Sequence, residues 1–225
     1  KLISYHKFNE KKVVNNIIKH LNEGKILSLI SDAGTPTISD PGNILVNECI
    51  KHNIDIFSIP GASSVISAMS VSGFEQKFIF YGFLPKKENE LIKILKNLSN
   101  LDFSLIFFSP SNKINFYLEH FKIYMKDRKI MIARELTKKY ETIYRNEVDN
   151  IKFFKTNLKG ELTIVISKKN NKDKNINISD LKKMAKKYLM KKSLKDTVKL
   201  ISEKEKVSRR KIYKICLEIK NEKNN

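Results

Sequence analysis

KILSLI at residues 25–30, followed by SDAGTPTISDPG at residues 31–42, is the stretch on which the fold turns. The first segment is a short apolar run of strand length, and the second is dense in glycine, proline and small polar residues. Beyond it, Leu45, Val46, Cys49 and Ile50 recur at helical spacing. Upstream, Val13, Val14, Ile17, Ile18 and Leu21 mark an amphipathic helix over residues 9–24, with Gly24 at the position of a C-terminal cap. Downstream, a second strand is expected over Ile54–Ile59, then a Pro60-Gly61 break and a small-residue helix through Ala62, Ala68 and Ser70 to Gly73. Strands alternating with helices at this spacing predict an α/β fold with an open, largely parallel sheet.

The alternation resumes after a Gly-marked turn. Strands are expected at Phe78–Tyr81, Ser104–Phe108, Lys129–Ala133 and Leu162–Ile166, with helices at Glu88–Leu98 and up to Tyr124. A domain boundary near Gly73–Lys77 divides the α/β part into residues 1–74 and 75–168. Residues 169–177 read as a polar linker. Residues 178–225 read as a small basic helical domain with three helical patterns, Leu181–Lys191, Leu194–Glu203 and Arg209–Lys220. Ser193 and Ser208 occupy N-cap positions, Ser193 with Asp196 three residues on.

Composition narrows the function classes. The chain has 225 residues, 44 Lys+Arg against 24 Asp+Glu and a net charge of +20. A hydrophobic content of 41% is too high for a largely disordered chain. No apolar run approaches the ~20 residues that a membrane-spanning helix needs. Cys49 and Cys216 stand far apart, so neither a disulfide scaffold nor a cysteine metal site is expected, and a reducing, cytoplasmic setting fits. Only five of the 44 basic residues are Arg, and the wealth of Lys, Asn and Ile reflects an A/T-rich coding bias. The surplus is nevertheless uneven: residues 168–225 hold 20 Lys/Arg and 7 Asp/Glu, a net +13. A polyanionic partner is the reading that this concentration favours.

The loop 31–42 follows an expected strand and precedes a helix, which places it at the carboxyl edge of a sheet, where open α/β folds bind ligands. Asp32 and Asp40 are suited to accepting hydrogen bonds from hydroxyls or an amino group; an ordinary turn with Asp caps fits the same spacing. GxxxxGK[ST] and GxGxxG are both missing, so neither a nucleoside triphosphate loop nor a dinucleotide fingerprint has support. Pro60-Gly61-Ala62-Ser63-Ser64 closes the next strand and opens a helix, with Ser63 either a ligand-facing hydroxyl or a plain N-cap.

Together these loops carry a resemblance. SDAGTPTISDPG, PGASSVISAMSVSG, FYGFLPKK, ARELTKKYETIYR and KGELTIVI follow one another in the order found in the small-subunit ribosomal RNA methyltransferase I family. That family belongs to the tetrapyrrole methylase-like, class III methyltransferases, and the resemblance covers essentially the whole chain. It implies two α/β domains of the tetrapyrrole methylase type with a helix-turn-helix-like C-terminal extension. It also implies S-adenosylmethionine as cofactor, a homodimer, and methyl transfer to the ribose 2′-hydroxyl of a decoding-region cytidine in small-subunit rRNA. Ala33, Gly34, Thr35 and Ile38 match the cofactor loop, and Ser63 and Ser64 match the hydroxyl pair after the Pro-Gly turn. Phe108, Ser109, Gly160 and Glu161 resemble the second domain's side of the cleft.

Two departures qualify these expectations. Where the family shows aromatic-Glu-Ser-Pro-His-Arg, this sequence reads Phe108-Ser109-Pro110-Ser111-Asn112-Lys113, and Lys113 keeps the charge of an RNA-binding Arg without its bidentate geometry. The sequence also opens at KLISYH, a motif that the family reaches only after an opening strand, a cofactor loop and a further αβ unit. The resemblance therefore implies a fragment, with one wall of the cofactor pocket lacking and activity weak or lost.

Methyl transfer from a sulfonium to an alcohol is an in-line displacement favoured by alignment and by a general base. Glu135 or Asp32 is expected to be the base, with Arg134 and Lys138 holding phosphate or oxyanion charge; pairing of Arg134 with Glu135 reads equally from the sequence. In the tail, Arg209, Arg210 and Lys211 suit phosphate contact and Tyr213 suits base stacking, unless Tyr213 packs in the core beside Ile212 and Cys216. A nucleic-acid-binding regulator without catalysis and a methylase acting on a small tetrapyrrole are the rival readings. The paired SDAGTP and PGASS loops count against the first, and the basic tail with ARELTKKYE against the second.

Overall fold

A computed structural model describes residues 2–156, 158–170, 178–205 and 207–224. The chain forms two compact units, Lys1–Asn170 and Asn171–Asn225. In the first, α1 (Glu10–Asn22), α2 (Asn43–Lys51) and α3 (Ser64–Ser72) precede β1 (Phe78–Phe83) and α4 (Glu88–Ser99). They are followed by β2 (Ser104–Pro110), a 3-10 turn (Ser111–Lys113), α5 (Ile114–Tyr124), β3 (Lys129–Arg134), β4 (Thr142–Glu147) and β5 (Glu161–Ile166). The second unit holds α6 (Ile178–Leu189), α7 (Leu194–Glu205) and α8 (Arg209–Asn224). Residues 171–177 of the expected linker lie outside the described residues.

The five strands form one sheet in the order β1-β2-β5-β3-β4. β1 and β2 are parallel, while β5 runs antiparallel to both β2 and β3, and β4 antiparallel to β3. The sheet is therefore mixed, which corrects the expectation of a largely parallel one. Period-two alternation explains why its central strands are continuously apolar: both faces are covered. Leu105, Phe107, Ile130, Ile132, Ile164 and Ile166 face α4 and α5 through Leu91, Leu95, Leu118 and Phe121. Ile106, Met131, Ala133 and Val165 face α3 through Val65, Ala68 and Met69.

Two expected strands are corrected. Residues 25–30 and 54–59 join no ladder among the described residues. Ile26 is 95% and Ile59 82% exposed. Apolar strand-length runs become strands only where a neighbour accepts their backbone hydrogen bonds, and among the described residues none pairs with them. Conversely, β4 escaped the sequence reading. TIYRNE mixes Arg145 and Asn146 into the run, a composition that an edge strand tolerates.

Arg128 ties the far end of the sheet together. Its buried guanidinium donates to the carbonyls of Ser99, Leu101, Phe103 and Ser167, at 2.8–3.1 Å. Those carbonyls lie at the end of α4, on the approach to β2 and just past β5, so one side chain satisfies groups that helix and strand ends leave open. Burial pushes its pKa below the ordinary arginine value.

In the second unit, Leu181, Ala185, Val198, Ile201, Ile212, Ile215, Cys216 and Ile219 form a core of their own. Ser193 accepts from the Asp196 amide at 3.2 Å and donates to its carboxylate at 2.6 Å, as the spacing predicted. Arg128→Met should lower stability by about 3 kcal/mol through unsatisfied buried carbonyls, read as a lower urea midpoint at unchanged slope.

Candidate functional site

Because β1, β2 and β3 run the same way and β5 opposes them, the ends of the first three and the start of β5 share one edge. Gly82–Phe83, Ser109–Pro110, Arg134–Glu135 and Gly160–Glu161 meet there. The register places Pro110 opposite Glu161 and Arg134 opposite Leu162.

The loop 31–42 lies over this edge. Thr35 Oγ1 donates to the carbonyl of Ala62 at 3.1 Å, joining the SDAGTP loop to the PGASS turn. Gly34 lies beside the same carbonyl. Ser31 closes the loop internally by donating to the Gly34 carbonyl at 3.1 Å. At β1, a register shift between Phe80 and Gly82 coincides with a positive φ at Gly82, and a Cβ there would lie 3.3 Å from Ser39 Oγ. Loss of solvent around Asp40, followed by the charges of Asp32 and Glu161, pushes its carboxyl above the ordinary range. Loop 31–42 therefore meets the end of β1, with Asp40 in electrostatic range of Glu161 at the start of β5.

Backbone strain concentrates at the same edge. Among the described residues six non-glycine positions have positive φ; Asn53 and Asp127 are turn-tolerant, whereas Thr37, Ser39, Glu135 and Thr137 are not. All four lie in the two loops that flank the edge. Such conformations cost about 1–3 kcal/mol each and accumulate at ligand sites.

The structure separates the expected site residues by what they already hold. Glu135 Oε1 accepts from the Glu161 amide at 2.8 Å and from Lys138 Nζ at 3.3 Å, while the Glu135 amide donates to the Glu161 carbonyl at 3.0 Å. The Glu161 amide, above all, and then Lys138 hold the Glu135 carboxyl below the ordinary glutamate range. Lys138 also reaches Glu161 Oε2 at 3.0 Å, the contact that raises its ammonium most. Among the described residues Arg134 makes no hydrogen bond or ion pair with Glu135, although its charge adds to the lowering of that carboxyl: its Nε donates to the Lys159 carbonyl at 2.6 Å. Asp32 is exposed, and neither its carboxylate nor the Ser64 hydroxyl makes a hydrogen bond or ion pair among the described residues.

Ser63 is the N-cap of α3, accepting from the Ile66 amide at 3.5 Å. Ala33 is exposed, and Ile38 offers an exposed apolar surface in the same loop. Phe108 packs edge-on against Phe80 and Phe83. Ser109 is buried, with its hydroxyl turned to the Pro110 carbonyl. The Lys113 ammonium lies 5.6 Å from the Phe116 ring centre. In the second unit, Arg209, Arg210, Lys211 and Tyr213 are all exposed, and Arg209 lies 3.6 Å from Glu203. Tyr213 is thus not a core residue.

Two features escaped sequence reading: the Gly82 contact with Ser39, and the packing of Glu135 against Gly160. An isolated glycine inside the strand FYGF was the available signal for the first. Nothing local signals the second, because Glu135 and Gly160 are far apart in sequence.

Asp32 and Ser64 offer an acceptor and a hydroxyl for ribose or ammonium groups, Ile38 offers apolar contact for a base, and Gly34 and Gly61 leave backbone open. Among the described residues no cluster of metal-ligating side chains occurs.

Comparisons with known proteins agree with this reading of the fold. The family model for tetrapyrrole (corrin/porphyrin) methylases matches residues 4–152. The chain resembles the methyltransferase CobJ with a TM-score of 0.54 and 19% identity, over 69% of this chain and 70% of that one. It also resembles the uroporphyrin-III C-methyltransferase of Thermus thermophilus, solved with S-adenosylhomocysteine, with a TM-score of 0.50 and 9% identity, over 71% and 73% of the two chains. The family model and the fold thus define a protein of the tetrapyrrole methylase class.

Sequence relatives are more specific. Ribosomal RNA small subunit methyltransferase I of Mesomycoplasma conjunctivae is 43% identical over 173 residues, 76% of this chain and 72% of that protein. Its counterpart in Thermotoga maritima is 39% identical over 171 residues, 75% of this chain and 77% of that protein. The chain belongs to the ribosomal RNA small subunit methyltransferase I family.

A Cβ on Gly160 would lie 2.5 Å from Glu135 Cγ, Cδ and Oε1, at a φ of +96°. Gly160→Ala should therefore cost about 2 kcal/mol or more in urea unfolding, and the cost should shrink in a Glu135→Ala background.

Proposed function

We propose that this chain transfers a methyl group from S-adenosylmethionine to the ribose 2′-hydroxyl of a decoding-region cytidine in small-subunit rRNA. The observation that carries the reading is the joining of the SDAGTP and PGASS loops through Thr35 and Ala62 at the sheet's carboxyl edge. Family membership supports the substrate class, and the fold relative solved with S-adenosylhomocysteine supports the cofactor.

When bound, the cofactor supplies an electrophilic methyl on a sulfonium. Ala33, Gly34, Thr35, Ile38, Ser63 and Ser64 would hold it from one side, and the Phe108–Ser109 and Gly160–Glu161 strand ends from the other. Asp32 is proposed as the base that takes the hydroxyl proton, because its carboxylate has no competing partner. The Glu135 carboxylate is already engaged by the Glu161 amide and Lys138, so its role is to lock the β3 and β5 ends in register. Arg134 and Lys138 keep positive charge at this edge for phosphate. A homodimer and a cytoplasmic setting belong to the same reading; among the described residues no helix is long and apolar enough to cross a membrane.

Labelled S-adenosylmethionine incubated with small subunits lacking the modification should give ribose methylation at one cytidine. Asp32→Asn should slow it at least about 100-fold, within the range of a lost general base. Glu135→Gln should slow it less than about tenfold; the reverse order would assign the base to Glu135.

The exposed Arg209, Arg210 and Lys211 would contact phosphate, with Tyr213 beside them. Replacing the three cations with Gln should make the slope of log K against log salt shallower by about 2 on single-stranded RNA. An unchanged slope would place the phosphate contacts elsewhere.

A further inference from the structure

The β3–β4 loop carries an aromatic ring that the fold leaves uncovered. Tyr140 is 62% exposed. Among the described residues, its recorded ring contact is with the Lys139 ammonium, 5.6 Å from the ring centre. A tyrosine normally buries much of its ring on folding, so an uncovered one on a mobile loop would carry little meaning. This loop is tightly held. The Tyr140 carbonyl accepts from Thr142 Oγ1 at 3.2 Å and from the Arg134 guanidinium at 3.5 Å. The Thr137 amide donates to the Glu141 carboxylate at 2.6 Å, across positive φ angles at Glu135 and Thr137. The ring is therefore displayed from a backbone whose ordering cost is already met by the fold, the condition under which a contact residue gains most from binding.

Its surroundings identify what such a ring would meet. The loop leaves β3 at the sheet edge shared with the cofactor loops, and Lys138 connects it to Glu161 at the start of β5. Arg134, Lys138 and Lys139 lie within a few residues of the ring; Glu135 and Glu161 hold Lys138 and two carbonyls hold Arg134, so Lys139, over the ring itself, is the cation placed to turn to a phosphate. An exposed aromatic among cations is the arrangement that binds a splayed nucleotide: the ring takes the base face and the cations take the phosphates.

We propose that Tyr140 is a stacking platform for an unpaired RNA base beside the reacting ribose, and so a determinant of substrate engagement. This rests on the rRNA methyl-transfer reading above. Lys139, which now sits over the ring, would give up that contact for a phosphate when a base arrives.

The test is direct RNA binding, which needs no turnover. The probes are a fluorescein-labelled RNA hairpin with unpaired cytidines in its loop and the same hairpin with abasic loop positions. The parent chain should bind the first more tightly by about 5- to 150-fold, the range expected for stacking one base. Tyr140→Ala should erase that preference at an unchanged melting temperature, while Tyr140→Phe should retain it. If Tyr140→Ala keeps the full preference, the platform is another residue and the proposal fails. If Tyr140→Phe loses the preference as completely as Ala, the hydroxyl and not the ring is the contact, and stacking is overturned. A parent that binds both hairpins equally also overturns the proposal but leaves the rRNA reading standing. A parent that binds neither overturns that reading and the proposal with it.

Discussion

β5 runs against both of its neighbours, and the candidate site depends on that reversal. A parallel strand between β2 and β3 would have put its carboxyl end, Ile166, beside theirs. The antiparallel strand instead delivers Gly160 and Glu161 to the edge where β1, β2 and β3 finish. Once there, the Glu161 backbone continues the ladder with Glu135 one residue beyond the strands, and Lys138 closes the corner. The same reversal sends Ser167 to the opposite edge, where its carbonyl becomes one of the four that Arg128 gathers. One strand direction thus supplies the polar groups of the site at one end and of a buried structural tie at the other.

The two ends use charge differently. The buried Arg128 donates to four neutral carbonyls, with the Asp102 charge favouring its own, so its role is cohesion. At the site edge the charged groups are partly engaged: Glu135 and Lys138 restrain each other, while Asp32 stands unpaired. Strain follows the same division. The left-handed residues that a turn would not ordinarily tolerate lie in loops 31–42 and 135–141, held by Thr35 on one side and by Arg134 and Glu141 on the other. Backbone cost gathered at one edge of the sheet is the pattern of a surface shaped for binding rather than for stability.

Much of this was legible in the chain of letters. Four strands, eight helices and the Ser193–Asp196 cap were marked by local period and capping chemistry, which act within a few residues. The two loops that define the family were legible for the same reason. What failed was whatever needed a distant partner. Residues 25–30 and 54–59 have strand composition but no ladder among the described residues, and in TIYRNE the polar Arg145, Asn146 and Glu147 interrupt the apolar pattern, as an edge strand tolerates.

The candidate site divides along the same line. The sequence by itself determined which residue types are available, including Asp32, the Ser63-Ser64 pair, the ARELTKKYE cations and a C-terminal unit rich in Lys. Only the tertiary structure decided their states. It engaged Glu135 with a backbone amide and an ammonium, turned Arg134 to a carbonyl, left Asp32 unpaired and exposed both Tyr140 and Tyr213. The physical reason is that composition and spacing fix local conformation, whereas a side chain's charge partners and solvent exposure depend on segments that meet only after the sheet has formed.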